Sequence, residues 1–509
     1  MSQTSESNKR IAKNTLLLYF RMIFIMVISL FTSRINLQSL GVENFGIYNV
    51  VGGVVAMFSI LTGALGVATS RFITFELGKG NKEKLHKVFS SAVTVQILMS
   101  LVVVIIAEIT GVWFLNNEMI IPQDRLYAAN WVLQFSILSF VLTLINVPYN
   151  ACIIAHEKMS AFAYITIYEV IMKLVIAYSV FVTPIDKLIT YSALLLFLSF
   201  STRLIYGIYC TKHFEECQYR FVFDKRMLKQ IGGFAGWTMI GNLAWVGYSQ
   251  GLNILLNLFF GPSVNAARGI AMQVNEKVSS FCTNFQMALN PQITKSYAVN
   301  DLNRMHTLIY ASSKYSFFLL LFLSLPILIE TESILYYWLG NYPEHTAWFV
   351  RLIFMVLMVE VVANPLTVGA QANGHIKKYQ IIVGTILLMI VPLSYIALKM
   401  GYPPEAVFVV HLIIVILAQC VRVIMVKNMI SMPISEYVKR VVLRIFAVVA
   451  TSVVFPIILH LKLPNSLLCI MLTCLVSCIS VLLSVYILGL TVVERNKINL
   501  KIIKYIKKR

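Results

Sequence analysis

Apolar stretches of about 20 residues recur from one end of this sequence to the other, separated by short polar breaks. That length is what an α-helix needs to cross a hydrocarbon core about 30 Å thick. In lipid the backbone must bond to itself, and a helix does so within one segment. The spans read as 14–36, 46–70, 88–115, 127–151, 160–183, 188–211, 234–259, 264–289, 308–329, 347–370, 376–398, 404–426, 441–461 and 465–489, about fourteen in all. Only 13% of the residues are charged, against about 25% in soluble domains. The expected class is therefore an all-α polytopic membrane protein. The opening "MSQTSESNKRIAKN" precedes a span too long for a signal-peptide core, one that also holds Arg21 and lacks an A-x-A site, so it reads as a retained first helix.

The formal net charge of +20 is informative mainly through its placement. Basic residues gather at Lys9/Arg10/Lys13, Lys79/Lys82/Lys84/Lys87, Lys212/Arg220/Lys225/Arg226/Lys229, Lys377/Lys378, Lys427/Lys439/Arg440 and the tail "KINLKIIKYIKKR". These are the N-terminus, the even-numbered loops and the C-terminus. The odd-numbered loops, such as "LGVEN", "TPIDK" and "KMGYPPE", hold isolated cations beside acids. By the positive-inside rule both termini face the cytoplasm. Charge spread thinly over short loops fits anionic lipid headgroups and not nucleic acid. None of the eight cysteines lies in an outward loop, so no disulfide framework is implied.

Shifting the sequence by 220 residues places Gly41 on Gly261, Lys9 on Lys229, Ala68 on Ala288 and His86 on His306. A shift of six helices preserves orientation, which gives two parallel six-helix repeats. The expected organisation is a bundle over 1–212, a connector with an amphipathic segment over 213–233, a second bundle over 234–430, two further helices over 431–490 and a basic amphipathic tail over 491–509.

No loop outside the spans exceeds about 25 residues, and no Walker A, H-E-x-x-H or G-x-S-x-G pattern is present, so nothing here reads as an enzyme or as a cofactor or metal site. What stands out is charge inside the spans. An ionisable side chain at the centre of a span costs about 2.5–3.5 kcal/mol on insertion scales, so such residues usually face a bundle interior or a watery cavity. Arg21 and Arg34 in the first span, Arg71 closing the second, Arg268 in the eighth and Arg351 in the tenth are candidates for a cationic cavity. Guanidinium matches phosphate oxygens bidentately, so such a cavity would attract a diphosphate. Arg71, Arg351 and Arg422 could instead snorkel to a headgroup layer. Lys173 lies four residues after Glu169, the spacing of an intrahelical pair. Glu276 and Glu360 are candidates for a coupling cation or for pairing with an arginine. Pro148, Pro291, Pro326 and Pro365 sit inside spans beside Asn146, Asn150, Asn290 and Asn364, whose amides could satisfy the freed carbonyls. In residues 36–72, Gly41 and Gly46 suit a tight outer reversal, and Gly52, Gly53, Gly63 and Gly66 suit close helix packing.

The stretch "RMIFIMVISLFTSRINLQSLGVENFGIYNVVGGVVAMFSILTGALGVATSRFITFELGKGN", residues 21–81, resembles the opening of polysaccharide and O-antigen flippases of the multidrug/oligosaccharidyl-lipid/polysaccharide (MOP) exporter superfamily. The resemblance implies a V-shaped, MATE-like transporter that turns an undecaprenyl-diphosphate-linked oligosaccharide from the cytoplasmic to the periplasmic leaflet by alternating access, for O-antigen, lipopolysaccharide or capsule synthesis. It also implies that arginines of the first helices of each lobe line the diphosphate cavity; Arg21, Arg34 and Arg268 occupy comparable places, and Arg71 matches the family-like "SRF". The expected coupling is to a Na+ or H+ gradient or to membrane potential, and the expected associates are assembly proteins such as a polymerase. Two other functions remain open on the residues alone. A membrane-embedded glycan polymerase would need a large outward loop, and a cation-coupled multidrug exporter would favour an acidic or aromatic cavity.

Overall fold

The computed structural model describes residues 2–117, 119, 121–220, 224–462, 464, 466–492, 494–496 and 499, giving backbone alone for 2–10, 30, 42, 54 and 56. The expected tail beyond residue 500 lies outside the described residues.

Among the described residues the chain is helix and connecting turn, without a β-strand. In order the helices are α1 Ser2–Ala56, α2 Ser59–Lys79, α3 Lys82–Ile106, α4 Val112–Asn117, α5 Gln123–Ala155, α6 Met159–Val182, α7 Lys187–His213, α8 Lys225–Phe260, α9 Pro262–Ala298 and α10 Leu302–Ile329. They continue as α11 Thr331–Leu339, α12 Thr346–Asn373, α13 Lys377–Leu388, α14 Ile390–Lys399, α15 Ala406–Ile430, α16 Ile434–Tyr437, α17 Leu443–Ser452, α18 Val454–Lys462 and α19 Leu467–Ser484. Single π-helical turns join α3 to α4 and α16 to α17, and α13 and α14 together make one span.

Twelve stretches of helix are long and apolar enough to cross a membrane. The expected seventh and eighth spans are not among them. They lie in α8 and α9, which run 36 and 37 residues but carry Asn, Gln, Ser, Arg and Glu along their length. A helix that lines a wet cavity has no need to be apolar all round, and with these two the count reaches about fourteen. The second expected span is cut differently. Gly41 breaks the helical path at φ 78° and ψ 166°, conformations open to glycine, and the chain turns again at Met57 and Phe58 before α2.

The 220-residue repeat is written in the backbone. Gly41 and Gly261, 220 apart, both take positive φ, at 78° and 79°, and Gly80 and Asn300 do so at 72° and 60°. The next residue of each pair, Asn81 and Asp301, caps the following helix by accepting from the backbone N–H of Lys84 and Arg304 respectively. These caps satisfy orphan donors of the first turn.

The chain forms two compact units, one of residues 1–243 and 294–300, the other of 244–293 and 301–509. The first unit runs past the expected connector at 213–233 into α8 and takes in the end of α9. The start of α8 and the end of α9 pack with α2: Phe72 meets Phe234 edge-on at 5.9 Å and Phe75 meets Tyr297 at 6.3 Å. A Cβ on Gly78 would stand 3.0 Å from that of Ala298, its repeat equivalent. Lys295 pairs with buried Glu157 at 2.7 Å. The core of the first unit includes Ile47, Val51, Leu115, Val132 and Ile137, and that of the second includes Phe349 against Phe408 at 4.6 Å.

Several local expectations change. No side chain would crowd a Cβ at Gly52 or Gly53, and Gly63 and Gly66 make ordinary 3.8 Å contacts; the close approaches include Gly78, Gly207, Gly251, Gly369 and Gly489. The prolines inside α5, α9, α10 and α12 leave each helix continuous. Asn364 donates to the Gln286 side chain, not to a freed carbonyl.

Candidate functional site

Each unit encloses its own cavity. In the second unit a cavity of about 390 Å³ is walled by α8, α9, α12 and α15. It gathers three of the residues singled out from the sequence, Arg268, Glu276 and Glu360, with two that sequence reasoning missed, Tyr248 and His411.

Arg268 of α9 reaches back to α8. Its Nη2 donates to the Ser249 carbonyl at 2.9 Å and to the Ser249 hydroxyl at 3.3 Å, and Nη1 donates to Asn253 Oδ1 at 3.3 Å. The Nε–H is buried and has no acceptor among the described residues. The guanidinium is thus anchored on one edge and has capacity left on another. Eight residues on, Glu276 is exposed on the cavity wall and forms no ion pair among the described residues. Glu360 of α12 accepts from the Tyr248 hydroxyl at 3.4 Å. His411 stacks edge-on against the Tyr248 ring at 5.1 Å, with its Nε2 buried and unbonded. The cavity is therefore of mixed sign: its lining includes one arginine, two carboxylates, a phenol and an imidazole.

In the first unit a cavity of about 620 Å³ lies between α1, α5, α6 and α7. Arg21 stands beside it, half-buried, with its guanidinium 4.5 Å above the Phe162 ring, which lines the cavity. The expected Glu169–Lys173 pair is formed, at 2.7 Å, on the cavity wall.

The other candidate arginines are placed elsewhere. Arg34 lies thirteen residues past Arg21, roughly 20 Å further along α1, is exposed, and lines neither cavity. Arg71 is enclosed by the rings of Phe72 at 4.6 Å, Phe75 at 4.7 Å and Phe234 at 5.9 Å, a cation–π setting where α2 meets α8. Arg351 stacks on Trp348 at 5.2 Å and pairs with Glu332 at 3.2 Å. It borders a separate pocket with Tyr336, Tyr337 and His460. Arg422 does not snorkel: its Nε donates to the hydroxyl of buried Tyr379 at 2.9 Å and Nη1 to Gln419.

Residues 11–297 match the family described as polysaccharide biosynthesis protein. The chain belongs to that family. The match takes in the whole of residues 21–81, the stretch that carried the resemblance. A 125-residue segment of this family member is 26% identical to the "uncharacterized membrane protein EpsK" of Bacillus subtilis (strain 168), spanning 24% of either chain. Solved structures share its fold over 83% of the chain and 96% of theirs. A MATE in the bent conformation superposes with a TM-score of 0.72 at 14% identity. An outward-facing multidrug resistance MATE transporter of the MOP superfamily gives 0.66 at 15%. A MOP transporter from Pyrococcus furiosus, described as having a binding pocket of reversed polarity, gives 0.63 at 16%. At these identities the likeness is one of fold. Family and fold together are those of a polytopic membrane protein of the polysaccharide biosynthesis family with a MATE-like fold.

Proposed function

We propose that the protein flips undecaprenyl-diphosphate-linked oligosaccharides from the cytoplasmic to the periplasmic leaflet of a bacterial inner membrane, supplying O-antigen, capsular or exopolysaccharide synthesis. The observation that carries the reading is Arg268. A guanidinium held at a membrane-level cavity with one buried N–H unbonded suits the oxygens of a diphosphate. Arg21 beside the other cavity supports the same reading. Glu276 and Glu360, which line the same cavity as Arg268, supply carboxylates for coupling to Na+ or H+. The basic loops contact anionic lipid and set both termini in the cytoplasm, and a polymerase would take up the flipped unit.

Replacing Arg21 and Arg268 together by Ala should cut surface polysaccharide and leave lipid-linked repeat units in the cytoplasmic leaflet. Normal output from the double variant would remove the assignment. A second reading, a cation-coupled exporter of cationic drugs, is favoured by Glu276, Glu360 and Trp245 in the same cavity. It expects greater ethidium sensitivity on deletion of the gene, with polysaccharide unchanged.

A further inference from the structure

The cavity of the first unit has a wall unlike that of the second. Its polar side chains are hydroxyls and carboxamides, among them Ser139, Thr143, Asn146, Asn150 and Ser199. Their bonding has a direction. Thr143 donates to the Ser139 carbonyl at 3.0 Å, Thr166 to that of Phe162 at 2.9 Å, Ser192 to that of Leu188 at 2.8 Å and Ser199 to that of Leu195 at 3.0 Å. In these four the hydroxyl hydrogen is spent on its own helix, so their oxygens are left as acceptors. Asn146 Oδ1, Asn150 Oδ1 and Thr202 Oγ1, also on this wall, are buried and have no hydrogen-bond partner among the described residues; the two amides and the Thr202 hydroxyl bring donors to the wall as well.

A neutral wall of acceptors and donors selects what can enter. A phosphate would find there no cation free of its own carboxylate, and its charge would be desolvated at a cost. A lipid tail or aromatic drug would leave the oxygens without donors, a costly arrangement in a dry site. Glu169 and Lys173 are the ionised side chains among the described residues on the wall, and they neutralise each other. What the wall matches is an uncharged molecule rich in hydroxyl and amide groups, which both donate and accept. Phe135, Phe140, Phe162 and Tyr206 add flat apolar faces for the C–H side of a ring. A volume of about 620 Å³ lies within the range of roughly 300–1,000 Å³ usual for small-molecule sites.

We propose that this cavity is a glycan subsite: it holds uncharged sugar units of the substrate, while the diphosphate stays outside it, beside Arg21. The proposal rests on the flippase reading and adds where the sugar goes and what kind of sugar fits.

The test uses the full-length protein in lipid nanodiscs and two probes, bare undecaprenyl diphosphate and the lipid-linked oligosaccharide extracted from the native cells. Affinities are compared by native mass spectrometry. The wild type is expected to bind the glycosylated lipid at least tenfold more tightly than the bare one. Thr143→Val combined with Ser199→Ala, and separately Asn150→Leu, should lose most of that preference and keep the affinity for bare lipid, which also shows that the variants are folded. A wild type without preference between the probes overturns the subsite, whatever the variants do. So do variants that retain the preference, and in both cases the flippase reading stands. Failure of the wild type to bind either probe overturns the flippase reading and the subsite with it.

Discussion

A guanidinium within a membrane span has to be held by something, and Arg268 is held along one edge only. Charge and hydrogen bonding can be separated there. Arg268→Lys keeps the charge but loses the planar fork that reaches both Ser249 and Asn253, and transport should fall about tenfold, equivalent to roughly 1.4 kcal/mol. Arg268→Gln keeps a donor for the Ser249 carbonyl and loses the charge, and transport should fall to background. The measurement is the pool of unflipped lipid-linked oligosaccharide; full activity in the glutamine variant would show that the charge is idle. Glu360→Gln tests the neighbouring carboxylate: a proton-coupled transporter should lose its response to an imposed pH gradient in proteoliposomes while still binding substrate. Arg268, Glu276 and Glu360 could be read from the sequence because an ion in an apolar span is conspicuous. Tyr248 and His411 could not, since a lone aromatic or histidine in a helix gives no sign of what it faces. The aromatic setting of Arg71 was hidden for the same reason: one of the rings around it, Phe234, is 163 positions away.

The helix ends show what a repeat does to packing. Gly78 closes α2 and Ala298 closes α9, and these repeat-equivalent residues face each other with room for no more than a hydrogen on the glycine. The atoms nearest an added Cβ include the Lys295 Cα at 3.1 Å and the Lys295 carbonyl oxygen at 3.3 Å, so the obstacle is backbone and cannot rotate aside. Gly78→Val should therefore lower stability by about 1–3 kcal/mol, the usual cost of overpacking, while Gly53→Ala, where nothing lies within 4 Å, should have far less effect. Thermal unfolding of the two variants in detergent decides it; equal midpoints would mean the ends are looser than drawn. At this scale the sequence was most legible where the backbone demands a residue type. Glycines and capping Asn and Asp punctuate the repeat and recur at the 220-residue spacing. It was least legible in α8 and α9, where the cavity removes the hydrophobic signal, and at the unit boundary. That boundary depends on which helix ends pack together, and hydropathy is blind to it.

For the molecule as a whole, the charge pattern makes a statement about sidedness that labelling can check. With exposed Cys420 changed to Ser, Lys84→Cys should react with an impermeant maleimide only after the cells are opened, and Asn117→Cys should react in intact cells; the reverse would invert the proposed topology. The C-terminal end carries a second whole-molecule test, through pH. Beyond the last span, Glu494 binds the Lys314 ammonium at 2.9 Å, and that lysine is 5% exposed inside α10. Burial by itself would raise the Glu494 carboxyl. Hydrogen bonds from the Tyr315 hydroxyl, the Thr491 N–H and Lys314, with the lysine's charge, outweigh burial and hold it at about 2. An unfolded glutamate titrates near 4.3. A carboxyl depressed on folding contributes stability that is fully present above its unfolded value and is lost as pH falls through its folded value. The contribution should thus be constant from neutral pH down to about 5, shrink below about 4 and vanish near 2. Glu494→Gln removes it at every pH, by about 1–3 kcal/mol for hydrogen bonds to a charged group, discounted because 31% of the Glu494 side chain is exposed. Other carboxylates titrate in the same window, so the quantity to follow is the difference in unfolding midpoint between wild type and variant. A difference that stays level from pH 6 to pH 3 would mean that the C-terminal segment is docked by its apolar contacts, such as Gly489 against Phe318, and not by this ion pair.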